Sequence, residues 1–218
     1  MKVLVTIASL VLSLVAAPVD AERLDEILAE MQKAGNELKT LAADFEQKDY
    51  DAILEDQDVS RGKLYLEPPG RVRWEHVEPT PKVLVVRDKL GRLYNPTTGQ
   101  VNEFKTNDGD SAGGFNLLVG FGSGNDEIAQ NYDASLLEET SSSVVLKLVP
   151  KPDSPASIFA AIELTIDKTT WTPVRSVFRE MNRDHTDIDF ENVVVNGKLP
   201  DHIFELELPE DVEIFKNW

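Results

Sequence analysis

A change of period constrains this chain more than any other feature of its sequence. Leu24, Ile27, Leu28 and Met31 fall at i, i+3, i+4 and i+7, one apolar face of a helix, and Leu38 and Leu41 continue the stripe past Gly35. From Phe45 onward the period is two. Leu64 and Leu66 alternate with Lys63, Tyr65 and Glu67, and Val72, Trp74 and His76 alternate with Arg71, Arg73 and Glu75. Val83 to Val86 is a short, wholly apolar run. Leu93 and Tyr94 lead into the turn Asn95-Pro96-Thr97-Thr98-Gly99, and Val101 to Phe104 returns from it. Further strand-like runs are Ser135–Glu138, Val144–Val149, Phe159–Ile166, Val174–Glu180, Thr186–Val195 and Phe204–Leu208, most of them separated by turn residues. The expected fold is α+β and mainly β. One amphipathic helix precedes an antiparallel meander that curls into an open barrel or sandwich.

The N-terminus reads as an address. Met1-Lys2 is followed by an apolar run from Val3 to Ala17, too short to span a bilayer, and then by Val19-Asp20-Ala21 with small residues at the positions a signal peptidase reads. Residues 1–21 are expected to be a cleaved signal peptide, and residues 22–218 a single domain. Among 218 residues, 22 Lys and Arg stand against 39 Asp and Glu, a net charge of −17. That balance excludes a nucleic-acid partner, which needs clustered cations, and works against adhesion to anionic membranes. Cysteine is absent, which rules out disulfides, thiolate metal sites, a cysteine nucleophile and a lipid-anchored cysteine.

Candidate chemistry is sparse. His76, His185 and His202 stand in no zinc-binding spacing, no GxSxG elbow occurs, and Gly120-Phe121-Gly122-Ser123-Gly124 lacks the ending of a phosphate loop. No metal and no cofactor is expected. The pattern points to a binder and not an enzyme; the alternative from another class is a secreted hydrolase using His185 with a nearby acid. One segment departs from the β pattern. Residues 107–124, rich in Gly, Asp and Ser, enclose the apolar Phe115-Asn116-Leu117-Leu118-Val119-Gly120-Phe121, which fits either a lid over a cavity or a helix packed on the core.

The stretch Gly62-Lys63-Leu64-Tyr65-Leu66-Glu67-Pro68-Pro69-Gly70-Arg71-Val72-Arg73-Trp74, followed by Leu84-Val85-Val86-Arg87-Asp88 and Leu93-Tyr94-Asn95-Pro96, resembles the periplasmic outer-membrane lipoprotein carrier family (LolA-type). Phe45-Glu46-Gln47 and the ending Phe204-Glu205-Leu206-Glu207-Leu208-Pro209 resemble further motifs of that family. The resemblance implies a half-open antiparallel β-barrel covered by helices. It implies a monomeric periplasmic chaperone that holds the acyl chains of lipoproteins, taking them from an inner-membrane lipoprotein-releasing transporter and passing them to an outer-membrane receptor. A carrier or sensor of another lipid on the same fold is the nearer alternative.

On this reading Phe45, Leu64, Leu66, Val72, Trp74, Val85, Leu93, Phe178 and Phe190 are expected to wall a lipid cavity. Leu24, Ile27 and Leu28 of the first helix, with Phe115, Leu117, Leu118 and Phe121, are expected to form the lid. The basic residue that the family often places before the Pro-Gly turn is Pro68 here. Arg71 and Arg73 are the candidates for its gating role.

Overall fold

The computed structural model describes residues 19–106, 125–154 and 156–217. Helix α1 spans Val19–Glu37. Six strands follow: β1 Leu41–Asp51, β2 Asp56–Glu67, β3 Arg71–Glu78, β4 Lys82–Arg87, β5 Leu90–Asn95 and β6 Gln100–Lys105. A short helix α2, Asn125–Asn131, leads into β7 Tyr132–Glu139, β8 Ser143–Pro150, β9 Phe159–Asp167, β10 Thr172–Glu180 and β11 His185–Val195; β12 Glu213–Lys216 comes last. The anticipated fold class stands: the chain is mostly β with few helices.

All twelve strands belong to one sheet, in the order β12-β6-β5-β4-β3-β2-β1-β11-β10-β9-β8-β7. The two hairpin meanders meet at β1, which pairs along its length with both β2 and β11. Neighbouring strands run antiparallel except β12, which is parallel to β6. The order begins at β12 and ends at β7, so the sheet is curved but not closed.

The period-two alternation decides what each face carries. Leu41, Ala43 and Phe45 of β1, Leu64 and Leu66 of β2, Val72 and Trp74 of β3, and Ile188 and Phe190 of β11 are buried in one cluster. Across the concave face, at the end where β1 begins, lies α1. Its Ile27, Leu28 and Met31 are buried in the same cluster, as the i, i+3, i+4, i+7 spacing requires, and Leu24 packs against it. Both ends of the helix are tied down. Arg23 donates to Glu139 on β7 through Nε (3.0 Å) and a terminal nitrogen (2.7 Å), and Lys168 joins the same carboxylate. These two cations, Arg23 first, hold the Glu139 carboxyl down to about 2. At the other end Asn196 donates to the Glu37 carbonyl (3.1 Å) and accepts from the Lys39 amide (2.6 Å). The expected cleavage point after Ala21 falls in the first turn of α1.

The convex face is wet and charged. Arg61, Glu46, Lys48, Asp189 and Arg175 form a continuous run of ion pairs across β2, β1, β11 and β10. On the outer side of β3 to β5 the solvent is replaced by the chain itself. Phe204 is buried against Val83 and Val85, with Leu199, Ile203 and Leu206 around it. Arg73 donates to the carbonyls of Ile203 (3.4 Å) and Glu205 (3.3 Å) and so pins this strap to the sheet. The strand expected at Phe204–Leu208 is therefore not a strand. Its apolar residues face the sheet from outside, and the last strand is the exposed Glu213–Lys216, which carries no alternating signal.

Two positions test the packing. A Cβ at Gly62 would meet the Glu75 carbonyl at 1.9 Å and the Phe45 ring at 2.6 Å, so only glycine lets that ring lie flat over β2. The Ser176 hydroxyl is fully buried beside Leu164 and Ile188 and makes no hydrogen bond. A buried hydroxyl without a partner costs about 1–3 kcal/mol. Ser176→Ala is expected to raise stability by about 1 kcal/mol in urea unfolding, and Gly62→Ala to lower the midpoint.

Candidate functional site: an apolar groove in the concave face

Beyond α1 a groove of about 370 Å³ lies in the concave face. One wall is Trp74 and His76 of β3, Lys82 and Leu84 of β4 and Leu93 of β5; the other is Ile188 and Thr186 of β11, Phe178 and Glu180 of β10 and Phe159 of β9, with Gln47 of β1 between them. Phe178 and Phe159 pack ring to ring at 5.4 Å, and Phe45 stacks under Trp74 at 4.3 Å. These contacts fix the aromatic surface of the groove.

The lining changes character along the groove. Toward the hairpin ends, Trp74 gives way to His76 on β3, Leu84 to Lys82 on β4, Ile188 to Thr186 on β11 and Phe178 to Glu180 on β10. His76 pairs directly with Lys82 and Thr186 with Asp49, while Glu180 lies two residues nearer the β10–β11 turn than Phe178, the partner of Thr186. The Asp49 carboxylate accepts from Thr186 Oγ1 (2.6 Å) and from Gln47 Nε2 (2.8 Å). The site is a greasy channel with a hydrogen-bonding mouth.

His76 has a defined role in the wall. Trp74 Nε1 donates to His76 Nε2 at 2.9 Å, so the proton sits on Nδ1, which donates to Ser60 Oγ at 3.2 Å. That tautomer is the wrong way round for taking a proton from Ser60. Burial pushes the imidazole's pKa below its ordinary 6.5, the nearby Lys82 ammonium pushes the same way, and Asp49 opposes them.

The residues expected on the cavity wall are divided by the structure. Trp74, Leu93 and Phe178 line the groove. Phe45, Leu64, Leu66, Val72 and Phe190 are buried beneath it and beneath α1 as core. Val85 is a correction. It lies on the outer face under Phe204, because the run Val83–Val86 is apolar on both faces and its alternation carries no direction. Arg71 and Arg73 are a second correction. Their neighbours Val72 and Trp74 point into the concave face, so the two arginines point out of it. Arg71 pairs with Glu67 (2.7 Å), while Arg73 pairs with Glu75 (2.8 Å) and holds the strap. Neither arginine reaches the groove or α1. Of the lid residues, Leu24, Ile27 and Leu28 are on α1 over the core; Phe115, Leu117, Leu118 and Phe121 lie outside the described residues. His185, on which the hydrolase alternative depended, sits on the convex face with its ring 4.9 Å from Tyr50. Sequence reading missed Gln47, Lys82, Leu84, Phe159, Glu180 and Thr186. Leu84 and Phe159 were visible as strand apolars, but the four polar residues have no signature apart from the register.

Among the described residues no group of three or more His, Asp or Glu could hold a metal ion, and no helix is long and apolar enough to cross a membrane. An open, mainly antiparallel sheet, covered at one end of its hollow by a helix and largely apolar beyond it, has the form of a binding groove.

Comparison with known proteins gives the family. The chain belongs to the outer membrane lipoprotein carrier protein LolA family, whose profile matches residues 36–207. An outer-membrane lipoprotein carrier protein of Chromohalobacter salexigens is 25% identical over 196 residues, covering 90% of this chain and 86% of the relative. One from Pseudomonas putida (strain W619) is 25% identical over 208 residues, covering 95% and 92%. Two solved structures share the fold. An uncharacterized conserved protein from Thermus thermophilus matches with a TM-score of 0.57 at 18% identity, covering 89% of this chain and 99% of that one. The complex structure of Pseudomonas aeruginosa MucA/MucB matches with a TM-score of 0.51 at 13% identity, covering 85% and 61%.

The Trp74–His76 bond makes the groove pH-dependent. Because the folded pKa is depressed, the unfolded chain binds more protons, and the contribution of neutral His76 is fully present above about pH 6.5 and lost as pH falls below it. Trp74 emission followed from pH 8 to 5 is expected to shift with a midpoint below 6.5, and His76→Gln is expected to abolish that step.

Proposed function

We propose that this chain is a periplasmic, monomeric carrier that shelters the acyl chains of lipoproteins in its concave groove and hands them to the outer membrane. The observation that carries the reading is the groove itself, about 370 Å³ of largely apolar space walled by Trp74, Leu84, Leu93, Phe159, Phe178 and Ile188. A benzene-sized guest fits a cavity of about 150 Å³, so a space of this size matches a run of roughly 15 carbons. Family membership supports the cargo: the family is one of lipoprotein carriers, and relatives sharing a quarter of the sequence over most of its length bear that name.

Burial of a ~15-carbon chain yields on the order of 12 kcal/mol gross, at about 0.8 kcal/mol per methylene. Ordering the chain and losing its free motion offset much of this. A groove open at one end and lined by aromatic edges leaves part of the chain in water and keeps the net affinity within reach of handover. Transfer then runs downhill, from an inner-membrane releasing transporter to this carrier and on to an outer-membrane receptor that binds more tightly.

A palmitoylated peptide is expected to bind the purified protein and the unacylated peptide not to bind. Phe178→Asp, which places a charge on the groove wall, is expected to weaken the acylated peptide by about tenfold or more, a loss of at least about 1.4 kcal/mol. Equal binding of the two peptides by the wild type would overturn the carrier reading.

A further inference from the structure

The acyl-chain reading, on which this inference rests, uses the apolar part of the groove and leaves its polar mouth unexplained. We infer that the groove takes its ligand in one direction, tail toward α1 and polar head at the hairpin end, with the head held between Lys82 of β4 and Glu180 of β10 and therefore carrying both a negative and a positive charge.

Three observations lead there. First, the two ends of the hollow are chemically unlike. At one end Ile27, Leu28 and Met31 of α1 meet buried aliphatic residues. At the other, β3, β4, β10 and β11 each pass from apolar to polar side chains toward their hairpin ends. A tail directed toward the hairpins would bring methylenes against an ammonium and a carboxylate while burying its head among aliphatics, and both placements are unfavourable.

Second, most of the polar mouth is already engaged internally. Asp49 is satisfied by Thr186 and Gln47, and His76 by Trp74 and Ser60. Lys82 and Glu180 line the same groove on opposite walls, and neither forms an ion pair among the described residues.

Third, the signs select the head. An anionic head would gain Lys82 but face Glu180 and Asp49. A cationic head would gain Glu180 but face Lys82. A zwitterionic head pairs with both walls at once, whether it is a phospholipid head or the charged residues next to a lipidated position of a polypeptide.

Direction is read with Trp74 as the sole tryptophan, in a Trp171→Phe, Trp218→Phe protein. Stearate carrying a nitroxide at carbon 5 is expected to quench Trp74 more strongly than stearate labelled at carbon 16. Equal quenching, or stronger quenching from carbon 16, overturns the orientation. The head is read by displacing that probe with three single-tailed palmitoyl ligands: lysophosphatidylcholine, palmitate and monopalmitoylglycerol. The zwitterion is expected to bind about fivefold tighter than the neutral glycerol ester, the upper end for an exposed ion pair. Lys82→Gln and Glu180→Gln are each expected to narrow the zwitterion's advantage over the ester to within about twofold. A palmitoylated Gly-Lys-Glu amide in the same assay separates the two sources of head, and a preference for either it or the phospholipid supports the proposal. An unchanged ranking in both variants overturns the head site alone. Failure of all the ligands, the neutral ester included, overturns the acyl-chain reading together with it.

Discussion

The structure depends on one constraint: a large sheet whose inward side chains are greasy must be kept from water on that side, and only one long helix is laid across it among the described elements. Alternation puts Leu41, Phe45, Leu64, Val72, Trp74 and Phe190 on the concave face. The apolar stripe of α1 covers one end of that face and fastens there through Arg23 and Asn196. What the helix does not reach is left as a groove. Core and groove are thus one surface, divided by where the helix lies. The same side chains that stabilise the fold grade without a break into those that would meet a guest: Phe45 is core, and Trp74, stacked on it, is wall.

The other face answers the same constraint with charge. Along β2, β1, β11 and β10 the outward residues are paired acids and bases, each pair worth little by itself in water but together giving a well-solvated surface. Where the outward side is apolar, at Val83 and Val85, the chain supplies its own cover in the strap around Phe204. The arginines beside Trp74 belong to this outer system. Arg73 fastens the strap, and its task is architectural.

Much of this was legible in the sequence, and the reasons are local. Strands with strict alternation, such as Arg71 to His76, announce both their existence and their inward set. Read strictly, that alternation also forbids Arg71 and Arg73 from the groove. The helix face from Leu24 to Met31 was equally plain. Val85 was not, because four consecutive apolar residues in Val83–Val86 fit either face. The Phe204–Leu208 run mimics a strand because a strap lying on a sheet also needs apolar residues at short intervals. The polar mouth was hidden for a different reason. Gln47, Lys82, Glu180 and Thr186 come from four strands and are brought together only by the pairing register and by the curvature of the sheet, neither of which is a property of any one segment.

The missing seam between β7 and β12 has a mechanical consequence. In a fully zipped cylinder, strand count and stagger dictate the girth, and widening it means breaking rungs. Here the two outermost strands share no rungs, so the curl of the sheet can tighten or relax while each pairing along it is kept. Such a wall has an adjustable bore: the hollow can widen or narrow by flexing the sheet rather than by rebuilding it.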